Sequence, residues 1–323
     1  MVLYVIKRIL LIIPIMIGVT FFLFMLLMLM PGDAALIVLG TQATEEQIQM
    51  FRDQNGLNDP AIVQYVNYMI KVVQGDLGMS FNTRQSVNSM IAIRAPTTLF
   101  LSLTSMVLTI AIALPLGVTM AVKQNSLYDN SMRVVTIILT SMPVFWLAIM
   151  MILLFTVKLN WLPSVYEFRL SAVIMPLVCL ACQGVTMCAR TGRSSMLEVI
   201  NQDYIRTARA KGLRYGYIIR RHALKNAMMP MVSVYGRIIA TCFSGSVVLE
   251  TVFGINGIGT MMLNALRQKD VPAIMGSIVI SCLVITGVNI LTDITYAFID
   301  PRIKSKYIKR KTMQKEVSVS ADK

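Results

Sequence analysis

Long apolar runs, separated by shorter polar stretches, dominate the chain. The first, Ile9 to Met30, follows Lys7 and Arg8. At about 1.5 Å per residue it is long enough to cross a hydrocarbon core of roughly 30 Å. It is too long for a signal-peptide core, and no small-x-small cleavage site follows it, so the pattern predicts a retained span. Further runs of spanning length lie near 97–122, 134–157, 170–189, 231–253 and 273–299. The expected architecture is an all-α polytopic membrane protein with six transmembrane helices and both termini on one side. The division that follows is a first span at 1–30, an external region at 31–96, a five-span core at 97–300 with a loop at 190–230, and a tail at 301–323.

The external region has helix start and stop signals. Thr44 with Gln47 forms a capping-box pattern ahead of Ile48 and Phe51, and Gly56 is placed to close that helix. Asp59 is expected to cap a second helix with Pro60 in its first turn; Ile62, Val66, Met69 and Val73 recur at helical spacing, and Gly75 follows. Two uses stay open, a plug packed on the span ends and a docking surface for an external partner.

Composition agrees with a membrane chain: 56% of residues are hydrophobic and only 14% charged, well below the charged fraction of soluble domains. The net charge of +14 would suggest nucleic acid in a soluble protein. Here the basic residues fall between spans. Most of the 30 Lys and Arg residues share one set of loops, around Lys7, Lys123, Arg190 to Lys225 and Arg302 to Lys323, so the positive-inside rule places both termini in the cytoplasm. The basic tail after Asp300 is expected to be mostly disordered, near anionic membrane lipid.

Enzyme chemistry finds no constellation. There is one histidine, His222, no HExxH, no GxSxG with a plausible partner and no GxxxxGK[ST], so the chain carries no P-loop for ATP. No cofactor is implied. The five cysteines all lie in apolar runs, and Cys179 with Cys182 lacks further ligands nearby, so no metal site is expected. The 25 methionines are flexible apolar filler; their thioethers suit Cu(I) better than nickel. Gly254, Gly257 and Gly259 are spaced unlike a dinucleotide fingerprint and read as a turn after a span.

The loop between the fourth and fifth runs has helix signals of its own. Asp203 is expected to cap a short helix through Tyr204, Arg206, Ala208 and Lys211, with Gly212 ending it. A basic elbow, Arg220-Arg221-His222, leads to Asn226 and Pro230 at the entry to the next span. Such a helix is a handle for another protein; the alternative is a basic patch held by anionic lipid.

The residues here are specific: Asp203-Tyr204, Thr207-Ala208-Arg209-Ala210-Lys211-Gly212-Leu213, Arg221-His222-Ala223-Leu224, Asn226-Ala227 and Pro230. With Pro31-Gly32-Asp33, Gly75-Asp76-Leu77-Gly78, Ser80-Phe81, Met142-Pro143-Val144-Phe145-Trp146-Leu147, Trp161-Leu162-Pro163, Glu250-Thr251-Val252-Phe253, Gly257-Ile258-Gly259 and Asp300-Pro301-Arg302, the chain resembles permease subunits of binding-protein-dependent ABC importers, in the peptide/nickel branch. The likeness departs from the pattern at Arg206-Thr207-Ala208, where the wider family has Glu-Ala-Ala, at Pro31-Gly32-Asp33, which lacks the usual following proline, and at Ile255-Asn256-Gly257, where Trp-Pro-Gly is common. The resemblance implies half of a translocation pore, completed by a homologous second permease. Two cytoplasmic ATPase subunits would bind ATP and Mg and dock on the coupling helix, through Asp203, Tyr204, Arg206, Thr207, Ala208, Arg209, Lys211 and Gly212. An extracytoplasmic solute-binding protein would deliver short peptides, with nickel or a metal chelate as the alternative cargo. Outside that family, a non-transporting scaffold or receptor remains the other class of function.

Ionisable residues at membrane depth are costly. Arg237 and Asp293 each lie about 9 Å inside their spans and are expected to form a buried or cavity-facing ion pair, unless Arg237 snorkels to the interface alone. Glu250 is expected to anchor the turn running through Phe253, Gly257 and Gly259, an external gate, in preference to touching substrate.

Overall fold

The computed structural model describes residues 2–40 and 42–299, with side chains apart from those of 2–9, 233, 239, 241–246, 293 and 296–299. The basic tail lies outside the described residues. The described residues are helical throughout, joined by turns, with a single isolated bridge between Met79 and Ser86.

Helix α1 (Val2–Leu29) is the first candidate span, and the region expected to be external follows it. Its helices are α2 (Ala34–Leu39), α3 (Glu45–Gln54) and α4 (Ala61–Val73). The capping box forms as the spacing predicts: Thr44 Oγ1 accepts from Gln47 N at 3.3 Å and Gln47 Oε1 from Thr44 N at 3.0 Å. Two details differ. Asp33 caps α2, which the sequence pattern did not reveal, by accepting from Ala35 N at 2.9 Å. Asp59 does not cap α4; Pro60 stands at that position with no side-chain bond, because its fixed φ already sets the helical entry.

Asp33 also accepts a charged hydrogen bond from Arg52 of α3. Burial pushes the Asp33 carboxyl up, but the Arg52 hydrogen bond, the Ala35 amide and the nearby Arg52 and Lys269 charges outweigh it and hold the group below the ordinary carboxylate range. A depressed carboxylate contributes stability above its unfolded pKa and loses it as pH falls through the folded one. Hydrogen exchange of the α2 amides is therefore expected to be slow and flat near neutrality and to accelerate only below about pH 4, with Arg52→Met removing the step.

Helix α5 (Val87–Val122) begins ten residues before the run expected at 97–122. Val87, Met90 and Ile91 are buried against Ala273, Ile274 and Val279, and this burial carries the helix through Pro96 despite the hydrogen bond that proline forfeits. The run expected at 134–157 is not one straight span. It divides into α6 (Leu127–Ser141) and α7 (Val144–Met151), with α7 continuing into a π-helical stretch, Ile152–Lys158. The two halves are bent by 100°. Pro143 explains the break, since it supplies no N–H to continue the ladder from α6.

Helix α8 (Leu170–Ile200) runs past the expected 189 and leads into α9 (Asp203–Ala210) and α10 (Tyr215–Ile218). A π-helical turn, Ile219–Ala223, joins α10 to α11 (Leu224–Val252), which contains Pro230. A short helix absent from the sequence reading, α12 (Ile258–Arg267), precedes α13 (Val271–Ile299). Among the described residues four helices are long and apolar enough to cross a membrane, or five with the bent pair as one span. The expected six is reached only with α11, about 43 Å long at 1.5 Å per residue.

The core is built on close approach of α5 and α8. Small residues line the seam: Ala113, Gly117 and Ala121 on α5, Gly184, Ala189 and Gly192 on α8. With lipid tails as apolar as side chains, such packing rests on van der Waals contact between backbones. A Cβ on Gly117 would stand 2.8 Å from the Ala189 carbonyl oxygen. Gly117→Val is expected to cost about 1–3 kcal/mol and to lower the melting temperature of the purified protein, whereas valine at exposed Gly216, with nothing within 4 Å of its Cβ, leaves it unchanged.

Candidate functional site

Two turns of helix such as α9 are marginal alone, so its position is a product of packing. Ile205 is fully buried and Ala208 nearly so, against Ala121 of α5, Met196 of α8, Ile218 of α10, and Ala227 of α11. Asn226 Nδ2 donates to Tyr204 Oη at 2.9 Å, and the Arg209 guanidinium lies 4.9 Å from the centre of the Tyr215 ring. These contacts tie both flanks of α9 to the segments that follow it.

The expected cap at Asp203 is corrected: Gln202 holds the N-cap position and Asp203 is the first helical residue, where its charge favours the positive end of the helix dipole. The end matches the pattern. Gly212 has φ +76°, its N–H bonds the Arg209 carbonyl at 2.9 Å and Leu213 N bonds that of Ala208 at 3.4 Å, a Schellman closure that needs a residue without Cβ strain. The residues named for coupling therefore divide. Asp203, Tyr204, Arg206, Thr207, Arg209, Lys211 and Gly212 are exposed, while Ala208 faces the spans.

Near the end of α8 that leads into this helix lies a charge pair that the sequence does not announce. Arg193 of α8 donates through Nε to Asp129 Oδ1 and through Nη2 to Oδ2, both at 2.7 Å. Asp129 is fully buried and also accepts from Asn125 N at 3.0 Å, and Arg133 Nε stands 3.8 Å away. Ser126 and Asp129 do carry a capping signature, with Asp129 N donating to Ser126 Oγ at 3.2 Å, but that signal marks a helix start and does not name Arg193. The expected partner of Arg237, Asp293, lies outside the described side chains, and Arg237 itself is exposed.

At the other end of the molecule Glu250 is fully buried. Its Oε1 accepts from Thr98 Oγ1 at 2.9 Å and its Oε2 from Thr260 N at 2.8 Å. Thr98 Oγ1 in turn accepts from Ile258 N at 2.9 Å. The carboxylate thus sits at the N-terminus of α12, where free amides and the helix dipole favour a negative charge. Phe253 is buried among Leu101, Met175 and Leu249, and its carbonyl accepts from Tyr166 N at 2.8 Å. Gly257 leaves no room for a side chain: a Cβ there would lie 2.4 Å from Glu250 Oε1 and 2.5 Å from Thr98 Oγ1. A Cβ on Gly259 would likewise lie 2.7 Å from Val247 Cα. The Glu250 bonds fasten the turn from Phe253 to Gly259.

A second polar node holds the region 31–96 to the long helices. Asp270, at the start of α13, is buried; it accepts from Ser80 Oγ, and from Phe81 N at 3.1 Å. Lys269 Nζ donates to the Met30 and Gly32 carbonyls, each at 2.7 Å. The motif residues Gly32, Ser80 and Phe81 are therefore attachment points of the region that carries α2 to α4. Cys179 Sγ contacts Met151 Sδ at 3.5 Å and is buried in the core, and among the described residues no group of three His, Cys, Asp or Glu is placed to hold a metal.

Residues 113–305 match the family described as the binding-protein-dependent transport system inner membrane component, and residues 1–104 match its N-terminal family. The chain is 35% identical to an oligopeptide transport system permease protein of Bacillus subtilis over 313 residues, covering 93% of this chain and 99% of that one. It is also 35% identical to a dipeptide transport system permease protein of Alkalihalophilus pseudofirmus, with 93% and 99% covered. A glutathione transport system permease protein of Escherichia coli is again 35% identical, with 94% and 99% covered. In fold, the protein is similar to the MetNI methionine ABC transporter in inward-facing conformations, with a TM-score of 0.53 and 18% identity over 65% of this chain and 96% of that chain. By its helices, its turns and its match along nearly the whole length, the chain belongs to the membrane-spanning permease components of binding-protein-dependent ABC transport systems.

Proposed function

We propose that the chain imports short peptides as one of two homologous permease subunits, in the inner membrane of a prokaryote, with six spans and both termini cytoplasmic. Two ATPase subunits supply the energy, binding ATP and Mg, and this chain hydrolyses nothing. An extracytoplasmic solute-binding protein docks on the region 31–96. The observation that carries the reading is α9: a helix too short to stand alone, pinned to three spans through Ile205 and Ala208, with Arg206, Thr207, Arg209 and Lys211 presented outward. A lipid-held basic patch needs no such latching. Peptide cargo is favoured over nickel by the oligopeptide, dipeptide and glutathione names of the relatives. Glu250, Phe253, Gly257 and Gly259 then form a fixed external gate turn, and alternating access moves the spans around it.

The test is ATP hydrolysis by the purified complex in lipid, with its binding protein presented with dipeptides, longer peptides or nickel chelates. Stimulation by peptides supports the reading, and stimulation by nickel alone replaces the cargo. Failure of ATPase subunits to copurify would remove the importer reading of α9.

A further inference from the structure

Helix α6 is fastened to α8 near both of its ends. Near its start stands the buried Asp129–Arg193 pair, with two bonds of 2.7 Å. Near its end Thr140 Oγ1 donates to Thr186 Oγ1 at 3.0 Å. Between Asp129 and Thr140 run about 16 Å of helix. Immediately beyond, at residues 141–143, the chain bends by 100° into α7. Helix α8 continues unbroken to Ile200, and α9 begins at Asp203.

The rest of α6 does little to hold its place. Val134, Val135, Ile137 and Ile138 are exposed, and only Asp129 and Thr136 are buried. In lipid such an apolar face exchanges side-chain contacts for acyl contacts at little cost, so it does not define a register. A guanidinium paired with a carboxylate through two parallel bonds fixes both position and angle. The pair accordingly specifies geometry more than it adds net stability.

We infer that Asp129 and Arg193 are positioning residues for transport: they make α6 a strut of α8, so that displacement of α9 by an ATPase subunit reaches the bend at 141–143 undiminished. This rests on the reading of α9 as the ATPase-docking helix. Without the pair, α8 moves and α6 slips past it, and ATP is hydrolysed with little movement of the bent span.

The experiment uses the full complex in proteoliposomes with its binding protein and a labelled peptide, and reads peptide transported per ATP hydrolysed. Asp129→Asn, and a double variant Asp129→Leu with Arg193→Met that strands no charge, are expected to assemble and keep basal hydrolysis while transport per ATP falls about tenfold. Arg193→Lys, charged but without the fork, falls in between. Wild-type transport per ATP in the assembled double variant overturns the proposal. Should these variants fail to assemble, spin labels introduced as unnatural residues at Ile137, Glu198 and Ile149 of the otherwise native chain decide it. On trapping with ATP and vanadate, the 137–198 distance should hold within about 2 Å while 137–149 changes more; equal changes refute the strut. The docking reading fails separately, if charge reversal at Arg206 and Lys211 leaves ATPase stimulation intact.

Discussion

Gly257→Ala is expected to cost about 3 kcal/mol or more and to abolish transport. The added methyl would meet Glu250 Oε1 at 2.4 Å and Thr98 Oγ1 at 2.5 Å, and both atoms belong to a buried hydrogen-bond chain with nowhere to retreat. To admit it, α12 must move away from α5 and α11, which leaves Thr260 N or Ile258 N without its acceptor. Glu250→Gln should be milder but in the same direction, because an amide has one acceptor oxygen where the carboxylate serves both Thr98 and Thr260 N. Thermal unfolding of the purified chain in detergent checks the order: wild type highest, Glu250→Gln intermediate, Gly257→Ala lowest. A Gly257→Ala protein as stable as wild type would mean that the turn is softer than its contacts imply.

Charge reversal on the outward face of α9 should separate function from folding. Arg206→Glu with Lys211→Glu alters two exposed side chains, of which only Arg206 has a described partner, Asp203 at 3.8 Å on the surface, and exposed pairs of that kind contribute little. The melting temperature is expected to stay put while recovery of ATPase subunits on the permease falls by roughly tenfold, as for loss of an interface hot spot. Ile205→Ala should do the opposite. It removes a fully buried side chain at about 2–4 kcal/mol, more than so short a helix has in reserve, so amide exchange in α9 rises even before a partner is added. Two variants in one helix, one losing affinity and one losing order, mark the boundary between the docking face and the packed face.

That boundary was only half legible in the chain. Tyr204 to Gly212 announces a helix and its end, since an αL closure wants glycine whatever surrounds it. Nothing local tells that Ala208 points inward and Arg206 outward, because that depends on where α5, α8 and α11 converge. The same holds for Asp129 and Arg193, 64 residues apart: each looks like an ordinary loop or helix-end charge until the seam between α5 and α8 brings them together. Arg237 and Asp293 are the conspicuous charges in the sequence, by their depth in apolar runs, because sequence shows the depth of a charge but not its neighbours.

By itself the sequence determined the membrane class, the long apolar helices, the capping box at Thr44 and the terminating turns at Gly56, Gly75 and Gly212. These follow from local physics, the cost of bare backbone in lipid and the few conformations open to a capped or glycine-ended helix. Tertiary structure alone decided that the third run breaks at Pro143, that α5 begins as early as Val87, that α12 exists, and that buried carboxylates at Asp129, Glu250 and Asp270 each join elements distant in the chain. A buried charge must be met by donors arranged around it in space, and in this protein those donors come from other helices.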